Sequence, residues 1–562
     1  MRNREKDSNI IYKEVVVVGN GPSGIVVSLM LSGWLPYLIS DEHPDEMLSA
    51  RLKNYVGKCL VTEDLWELAR GLEGRSQNPI SLLLDALLHP YADIGLKFKS
   101  LVEFRKTGVQ IDHVVLGKGP PGGSWHRMDP DVLTLSLGSW MALPGIPFPS
   151  SCANEKRAYA RDVAAYYEHY VRKMGLGKNF KSNVLVTSVT ARVADEGPDP
   201  WSRKFDKADS AKTYVEPPRE NHGKSCFIAD AIHCLFPRDY RSNKRSNNGP
   251  HSGNCNRRLK TGPGFVSKHE RKKELCCCCC CCCRETNDQQ PRRTSDFHKK
   301  PVPFYSRLSS PSSCDTRSSN WLVRTDDVDT VTYACKYLVL ACGTYDMPNR
   351  LEVLNDDPDW LVHDLRALEL KLDEMLKLGK VTDPVLIAGA GLSAADAVIA
   401  TRARGVPVVH VFRNKTAEFS KQLPENMYPE YHKVNQMMKD GGASYPLYKS
   451  YPEYDVTDVD QNARTVTLSS KTGERIKMNV SLAAVLIGSR PDLSFLPPSY
   501  SLGVRDDQSI DSKTNPVRID PLTHQVLGYD GLFAVGPLAG DNFVRFIPGG
   551  ALALISKIYK SE

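Results

Sequence analysis

Along the chain, the pattern of apolar and polar positions resolves twice into the same unit: strand, glycine turn, helix, strand. A charged lead gives way to the apolar run Val15–Val18, then to Gly19, Gly21 and Gly24, then to the apolar stretch Ile25–Leu31. The run predicts a buried strand, the glycines a tight turn and the longer stretch a buried helix. A second strand is expected after Gly33, over Pro36–Ser40, closing on Asp41 and Glu42. About 370 residues after Gly19, Val385–Ala388 reads as a strand, Gly389 and Gly391 as its turn, and Ala394 takes the place of the third glycine. The helix is expected to run through Ala400, Gly405 to break it, and Val406–Phe412 to form the next strand, ending at Arg413. His113–Leu116, Asn183–Val193, Trp321–Thr325 and Val331–Leu340 also read as strands, the last three as a β-meander.

This grammar is that of a dinucleotide cradle. The first glycine allows the sharp turn, the second lets the backbone approach a pyrophosphate, and the third lets the helix lie close to the strand. The phosphates then meet a helix N-terminus, whose free N–H groups and dipole favour anions. The first cradle is expected to comprise Gly19, Gly21, Pro22, Ser23 and Gly24. A carboxylate at Asp41 or Glu42 would bind ribose hydroxyls and repel a 2′-phosphate, which predicts FAD or NAD there. Arg413 predicts NADPH over NADH at the second cradle. Either match alone is explained by an ordinary glycine turn. Two in full context, with opposite charge at the second strand's end, predict a flavin and the nicotinamide that reduces it.

Composition changes the picture at one segment. A chain of 562 residues is too long for one compact core and suggests two or three domains. Its formal charge of +7 is local: residues 195–320 hold 24 Lys and Arg against 15 Asp and Glu, a net of +9. The remainder is close to neutral, so no nucleic-acid partner is expected. That segment is rich in Ser, Asn, Pro, Arg and Lys without sustained periodicity, and it is expected to be a disordered insertion within the meander. It contains eight consecutive cysteines, Cys276 to Cys283. Three readings stay open for this run: functionless low complexity, S-acylation with peripheral membrane contact favoured by Arg271, Lys272 and Lys273, and metal or redox chemistry. Thiolate metal sites use spaced pairs, which are absent, and no metal ligand is assigned. The N-terminus lacks a secretory leader and no stretch approaches bilayer length, so a cytoplasmic location is expected.

Further motifs resemble flavin monooxygenases. Gly122, Gly123, Ser124 and Trp125 resemble the GGxW segment that runs beside the isoalloxazine; the other reading is a glycine turn with a buried Trp. Tyr337 to Thr344, with Gly343, looks like the strand and turn that close the first half of an FAD domain. Ser393 and Asp396 match the monooxygenase form of the second fingerprint, and Leu486 to Pro491 resembles the return strand. Gly531 to Gly550 resembles the segment that closes the flavin site, which puts Gly536, Asp541 and Gly549 at the cofactor.

Longer segments are more specific. GLEGRSQNPISLLLDALL (71 to 88), HVVLGKGPPGGSWHRM (113 to 128), YYEHYVRKMGLGKNF (166 to 180), LPENMYPEYHKVNQMM (423 to 438) and GPLAGDNFVRF near the C-terminus resemble the oxidative stress-induced growth inhibitor family, over nearly everything outside residues 195–320. The resemblance implies a stress-responsive protein linked to growth restraint, cell death and autophagy. It implies an α/β two-dinucleotide-binding flavoprotein fold, an FAD Rossmann-like domain with an inserted NADPH Rossmann-like domain. The corresponding boundaries are 1–194 and 321–350 for the FAD domain, 351–480 for the NADPH domain, 481–562 for the return to the FAD domain, and 195–320 for the insertion.

The class implies that NADPH passes hydride to flavin N5 and that the reduced flavin reacts with dioxygen to a C4a-hydroperoxide, which oxidises a small molecule. The protein then supplies positioning and exclusion of water. Asn426 lies in the region resembling the one that contributes a polar substrate contact in N-hydroxylating relatives; an ordinary loop asparagine is the alternative. His363 resembles the histidine of a monooxygenase fingerprint without its flanking glycines and reads rather as a solvent-facing helix histidine, and His432 and Tyr431 are undecided. One departure concerns the closing motif, where Pro537 follows Gly536 in place of the usual aspartate; either Asp541 takes over or the flavin is held differently. Two function classes follow: an NADPH-dependent flavin monooxygenase or oxidase, and a regulator that retains the fold and acts through partners.

Overall fold

Val15–Val18 form the buried end of strand β1 (Ile10–Val18), which sits inside a seven-stranded sheet. The computed structural model describes residues 10–149, 156–191, 320–326, 331–415 and 423–561. The described residues belong to one unit, built from Met1–Arg238 and Asp315–Glu562. The insertion, Asn320 apart, and its Cys276–Cys283 run lie outside the described residues.

The sheet runs β7 (Phe180–Ser182), β4 (His113–Gly117), β1, β10 (Thr332–Leu340), β9 (Trp321–Thr325), β8 (Val186–Ala191), and β21 (Leu532–Ala534) joins the far half of β10 in parallel. β1 is parallel to both β4 and β10, so it is covered on both faces. The two-residue period then sorts its valines. Val15 and Val17, with Val115 and Val339, enter a core shared with helices α1 (Pro22–Leu31), α4 (Pro79–Leu88), α5 (Ala160–Lys173) and α9 (Ile547–Ser561). Val16 and Val18, with Val114, Leu338 and Leu340, enter a second core beneath the antiparallel meander β8–β9–β10. The single strand expected over Asn183–Val193 is two. Asn183 has φ +60°, a break that lets β7 pair with β4 and β8 pair with β9.

A second, all-parallel sheet has the order β12 (Leu361–Val362), β19 (Leu482–Val485), β13 (Val385–Ala388), β14 (Val408–Phe412), β15 (Tyr448–Pro452). Its core takes residues from α6 (Leu365–Lys377), α7 (Leu392–Ala403) and α8 (Pro429–Asp440). A three-stranded antiparallel sheet of β16 (Tyr454–Asp460), β17 (Thr465–Ser470) and β18 (Arg475–Asn479) adjoins it. The chain enters and leaves this part through β11 (Met347–Pro348) and β20 (Ser489–Arg490), which pair antiparallel.

Between α1 and β4 the chain makes an excursion through β2 (Trp34–Leu38), α2 (Glu46–Leu52), α3 (Leu65–Ala69), α4 and β3 (Val102–Lys106). β2 pairs with β3 in a separate two-stranded sheet, so the strand expected beside β1 is not there. Pro36 supplies the reason, since a residue without an N–H is confined to edge strands. A hairpin-like pair, β5 (Leu133–Leu137) and β6 (Arg157–Tyr159), follows β4. Among the described residues no helix is long and apolar enough to cross a membrane, and no cluster of His, Cys, Asp or Glu could hold a metal.

Candidate functional site

The first glycine turn is built at the carboxyl end of β1. Gly19 has φ +111°, and a β-carbon on it would lie 2.4 Å from the Ala341 carbonyl oxygen, so only glycine fits where β1 passes the end of β10. A β-carbon on Gly24 would lie 2.0 Å from the Gly19 carbonyl oxygen, so α1 rests directly on the turn. Gly21 differs: the nearest atom to its β-carbon position is Gly122 O at 4.0 Å, which leaves this face of the turn free for a ligand. Pro22 opens α1 at a position where no N–H is needed. The Gly122–Trp125 loop folds over the turn, with Gly122 N donating to Asn20 O at 2.9 Å and Trp125 half-buried against the first core. Gly536 touches Ser23, since a β-carbon on it would lie 2.1 Å from Ser23 Oγ. Gly343 stands with φ +71° in the turn after β10. The structure thus gathers Gly19, Gly21, Pro22, Ser23, Gly24, Gly122 to Trp125 and Gly536 around one helix start.

Four residues expected at the cofactors lie elsewhere. Asp41 and Glu42 follow β2, outside the main sheet, whereas the strand beside β1 is β4, which ends at Gly117 and Lys118. The position that carries the ribose acid in this topology therefore has no carboxylate of its own. Lys118 Nζ donates to Asp492 at 3.0 Å and lies 3.7 Å from Asp346, which also accepts from Arg127 at 2.9 Å. Asp541 is fully buried; its oxygens accept from Ser76 Oγ at 2.5 Å and Ser81 Oγ at 2.7 Å. Desolvation pushes its carboxyl up and the neighbouring His524 down. Gly549 does not precede the last helix but lies within its first turn, and its missing side chain admits Ser81 of α4, 2.3 Å from where a β-carbon would stand.

The second cradle keeps its expected neighbours. β13, α7 and β14 form a parallel unit, so Arg413 does stand at the end of the adjacent strand. Gly389 has φ +132°, and a β-carbon there would meet Leu486 O at 2.3 Å, while Gly391 faces open space. Ser393 is exposed and Ala394 buried beneath the turn. The Arg413 side chain is 77% exposed, with Nε donating to Asp455 at 2.6 Å. His410 was not anticipated: its Nε2–H donates to Gly389 O at 2.7 Å and its Nδ1 accepts from Tyr448 Oη at 2.9 Å. Burial pushes it down to about 4, so it stays neutral and pins the turn. In the first cradle His113 ties the helix α1, not the turn, to the start of β4. Its Nδ1–H donates to Ile111 O at 2.8 Å and Nε2 accepts from Ser28 Oγ of α1 at 2.8 Å, with the pKa lowered by burial to about 4.

The candidate catalytic side chains do not converge. Asn426 is exposed in the turn before α8. His363 is not on a helix: it follows β12, mostly buried, between Val485 O at 3.3 Å and Asp357 at 3.1 Å. His432 donates to Leu423 O at 2.5 Å. Tyr431 is buried and hydrogen-bonds Asp396 of α7, whose carboxyl burial raises to about 6. Cys59, Cys335 and Cys342 are unpaired, and burial raises all three thiols, Cys342 to about 12.

With this geometry in place, the relatives decide the family. The chain is 35% identical over 98% of its length to human oxidative stress-induced growth inhibitor 2, covering 93% of that protein, and 35% identical to human oxidative stress-induced growth inhibitor 1, covering 95% of it. The chain belongs to the oxidative stress-induced growth inhibitor family. Residues 312–516 also match the pyridine nucleotide-disulphide oxidoreductase family. A bacillithiol disulfide reductase from Staphylococcus aureus superposes with a TM-score of 0.51 at 12% identity, over 98% of this chain and all of that one, which places the growth inhibitor fold among the two-dinucleotide flavoproteins.

Proposed function

We propose that the protein is an FAD- and NADPH-dependent oxidoreductase, acting as a flavin monooxygenase on a small molecule with dioxygen as co-substrate. The observation that carries this reading is the pair of open glycine turns, at Gly21 and Gly391, each at the carboxyl end of a strand with parallel neighbours on both sides and at a helix N-terminus. Gly19 to Gly24, Gly123 to Trp125 and Gly536 fit the diphosphate and flavin portion of FAD; Gly389 to Ala394 and Arg413 fit NADPH. When bound, the flavin supplies hydride acceptance and oxygen reduction. The chain's own residues hold the two nucleotides, orient them and keep water out. His410 fixes the second glycine turn to its sheet, and His113 ties α1, the helix that follows the first turn, to the start of β4. Among the described cysteines none is paired and none is a ready thiolate, which favours oxygen chemistry over disulfide exchange.

A second reading is favoured by the strand end at Gly117 and Lys118. With no carboxylate there, the adenosine ribose loses its usual anchor, as expected of a family member that keeps the fold as a nucleotide-sensing regulator of growth, death or autophagy. The visible spectrum of the purified full chain, with NADPH oxidation and oxygen uptake, separates the two. A yellow protein that consumes both supports the enzyme; a colourless protein with no turnover overturns it.

A further inference from the structure

Arg157 joins the β5–β6 pair to the turn before α8 and the first turn of that helix through its guanidinium. It opens β6, beside the first cradle's half of the molecule, and its side chain is 8% exposed. Nε donates to Thr134 O at 2.7 Å and Nη2 to Leu133 O at 3.5 Å, so the group is oriented by β5. Nη1 reaches out to the turn before α8, donating to Met427 O at 3.4 Å and pairing with the Glu430 carboxylate. Its plane meets two aromatic rings, Tyr428 with its centroid at 4.6 Å and Tyr431 at 5.5 Å, which themselves stack with centroids 6.2 Å apart. Tyr428 Oη donates to Leu135 O at 2.6 Å, a second tie between the same two elements. Tyr431 in turn hydrogen-bonds Asp396 on α7, the helix whose N-terminus is the second glycine turn.

We infer that Arg157 is a positioning residue that clamps the nicotinamide cradle, through Tyr431 and Asp396, in a fixed orientation to the flavin cradle, so that hydride passes between the two nucleotides without the halves turning apart. This rests on the NADPH and flavin reading above. A planar fork that donates from three nitrogens and packs against a stacked pair of rings fixes both distance and angle, which a lysine ammonium does not. Hydride transfer needs that precision, since the reacting atoms must sit about 3–3.5 Å apart and a displacement of about 1 Å costs on the order of a hundredfold in rate.

The test compares the full-length wild type with Arg157→Met and Arg157→Lys. In rapid mixing with saturating NADPH, the rate constant for flavin reduction should fall roughly 10- to 100-fold in both, while the dissociation constant for NADPH stays near the wild-type value. Hydrogen exchange, read with no nucleotide added, should rise in residues 133–137, 157–159 and 429–440 and stay unchanged in β1. Unaltered reduction rates with unaltered exchange overturn the inference. Loss of NADPH affinity with an unaltered reduction rate also overturns it. Should the wild type bind no flavin, the functional reading fails, and raised exchange across these segments still decides whether Arg157 clamps them. If Arg157→Met does not fold, Tyr428→Phe removes only the hydroxyl tie and should slow reduction about fivefold, the equivalent of one ordinary hydrogen bond.

Discussion

Gly117 lies directly under Asn20: a β-carbon on Gly117 would stand 2.1 Å from the Asn20 side-chain amide, which itself donates to Gly119 O at 2.6 Å. An amide from the glycine turn thus fills the place at the end of β4 that a ribose-binding acid takes in related topologies. Gly117→Ala should therefore destabilise the protein by roughly 1–3 kcal/mol through overpacking. Pairing Asn20→Gly with Gly117→Asp should relieve the clash and tighten FAD binding. Urea denaturation and flavin fluorescence titration check the two halves, and an unchanged FAD affinity in the double variant would show that this strand end does not face the ribose.

Asp541 is assigned a structural role with Ser76, Ser81 and His524. Because burial disfavours the charged carboxylate, the near-isosteric, neutral Asp541→Asn should cost less than about 1 kcal/mol, whereas Asp541→Ala strands two buried hydroxyls and should cost roughly 2–4 kcal/mol. Flavin content should follow stability in both. Loss of flavin from a fully stable Asp541→Asn protein would return this residue to the cofactor site.

Acid should destabilise the protein through the buried histidines His113 and His410. His113 and His410 titrate near 4 when folded, against an ordinary 6.5, so the stability they contribute is complete above 6.5 and lost as pH falls towards 4. Asp396 acts the other way: its carboxyl is raised to about 6, so its contribution is present at low pH and lost as pH rises through 6. At about 1.4 kcal/mol per pH unit and per group, two histidines outweigh one carboxyl, and the net loss between pH 6.5 and 4 should be roughly 3 kcal/mol. Urea midpoints across this range measure it. His113→Asn should flatten the profile and Asp396→Asn should steepen it.

Arg413 is accessible but shared with Asp455. Arg413→Ala should raise the Michaelis constant for NADPH about tenfold or more, the worth of a charged hydrogen bond to phosphate, and leave that for NADH nearly unchanged. Asp455→Asn should lower the NADPH constant by about two- to threefold, since an exposed ion pair competes only weakly. Steady-state kinetics with both nucleotides decide it, and equal effects on NADPH and NADH would remove Arg413 from the 2′-phosphate site.

Much of the scaffold was legible because its signals are local. A four-residue apolar run can only be an inner strand, and a glycine with φ +111° beside the Ala341 carbonyl follows from the turn that the fingerprint requires. At the second cradle β13, α7 and β14 are also neighbours in space, so Arg413 fell where the spacing put it. At the first cradle the same spacing misled. Pro36 carried the contrary signal, since a strand with a missing N–H cannot sit between two partners, while His113–Gly117 is buried at every residue.

The amino-acid sequence by itself determined the two glycine turns, the helices that follow them and the family, because these depend on residues adjacent in the chain. Only the tertiary structure decided which strand lies beside β1, that Asp541 and Gly549 face the helix α4, and that Arg157 meets Tyr428 and Tyr431 across 270 residues or more of chain. Those are outcomes of competition for buried hydrogen bonds and packed volume among distant segments, and no local pattern encodes which segment wins.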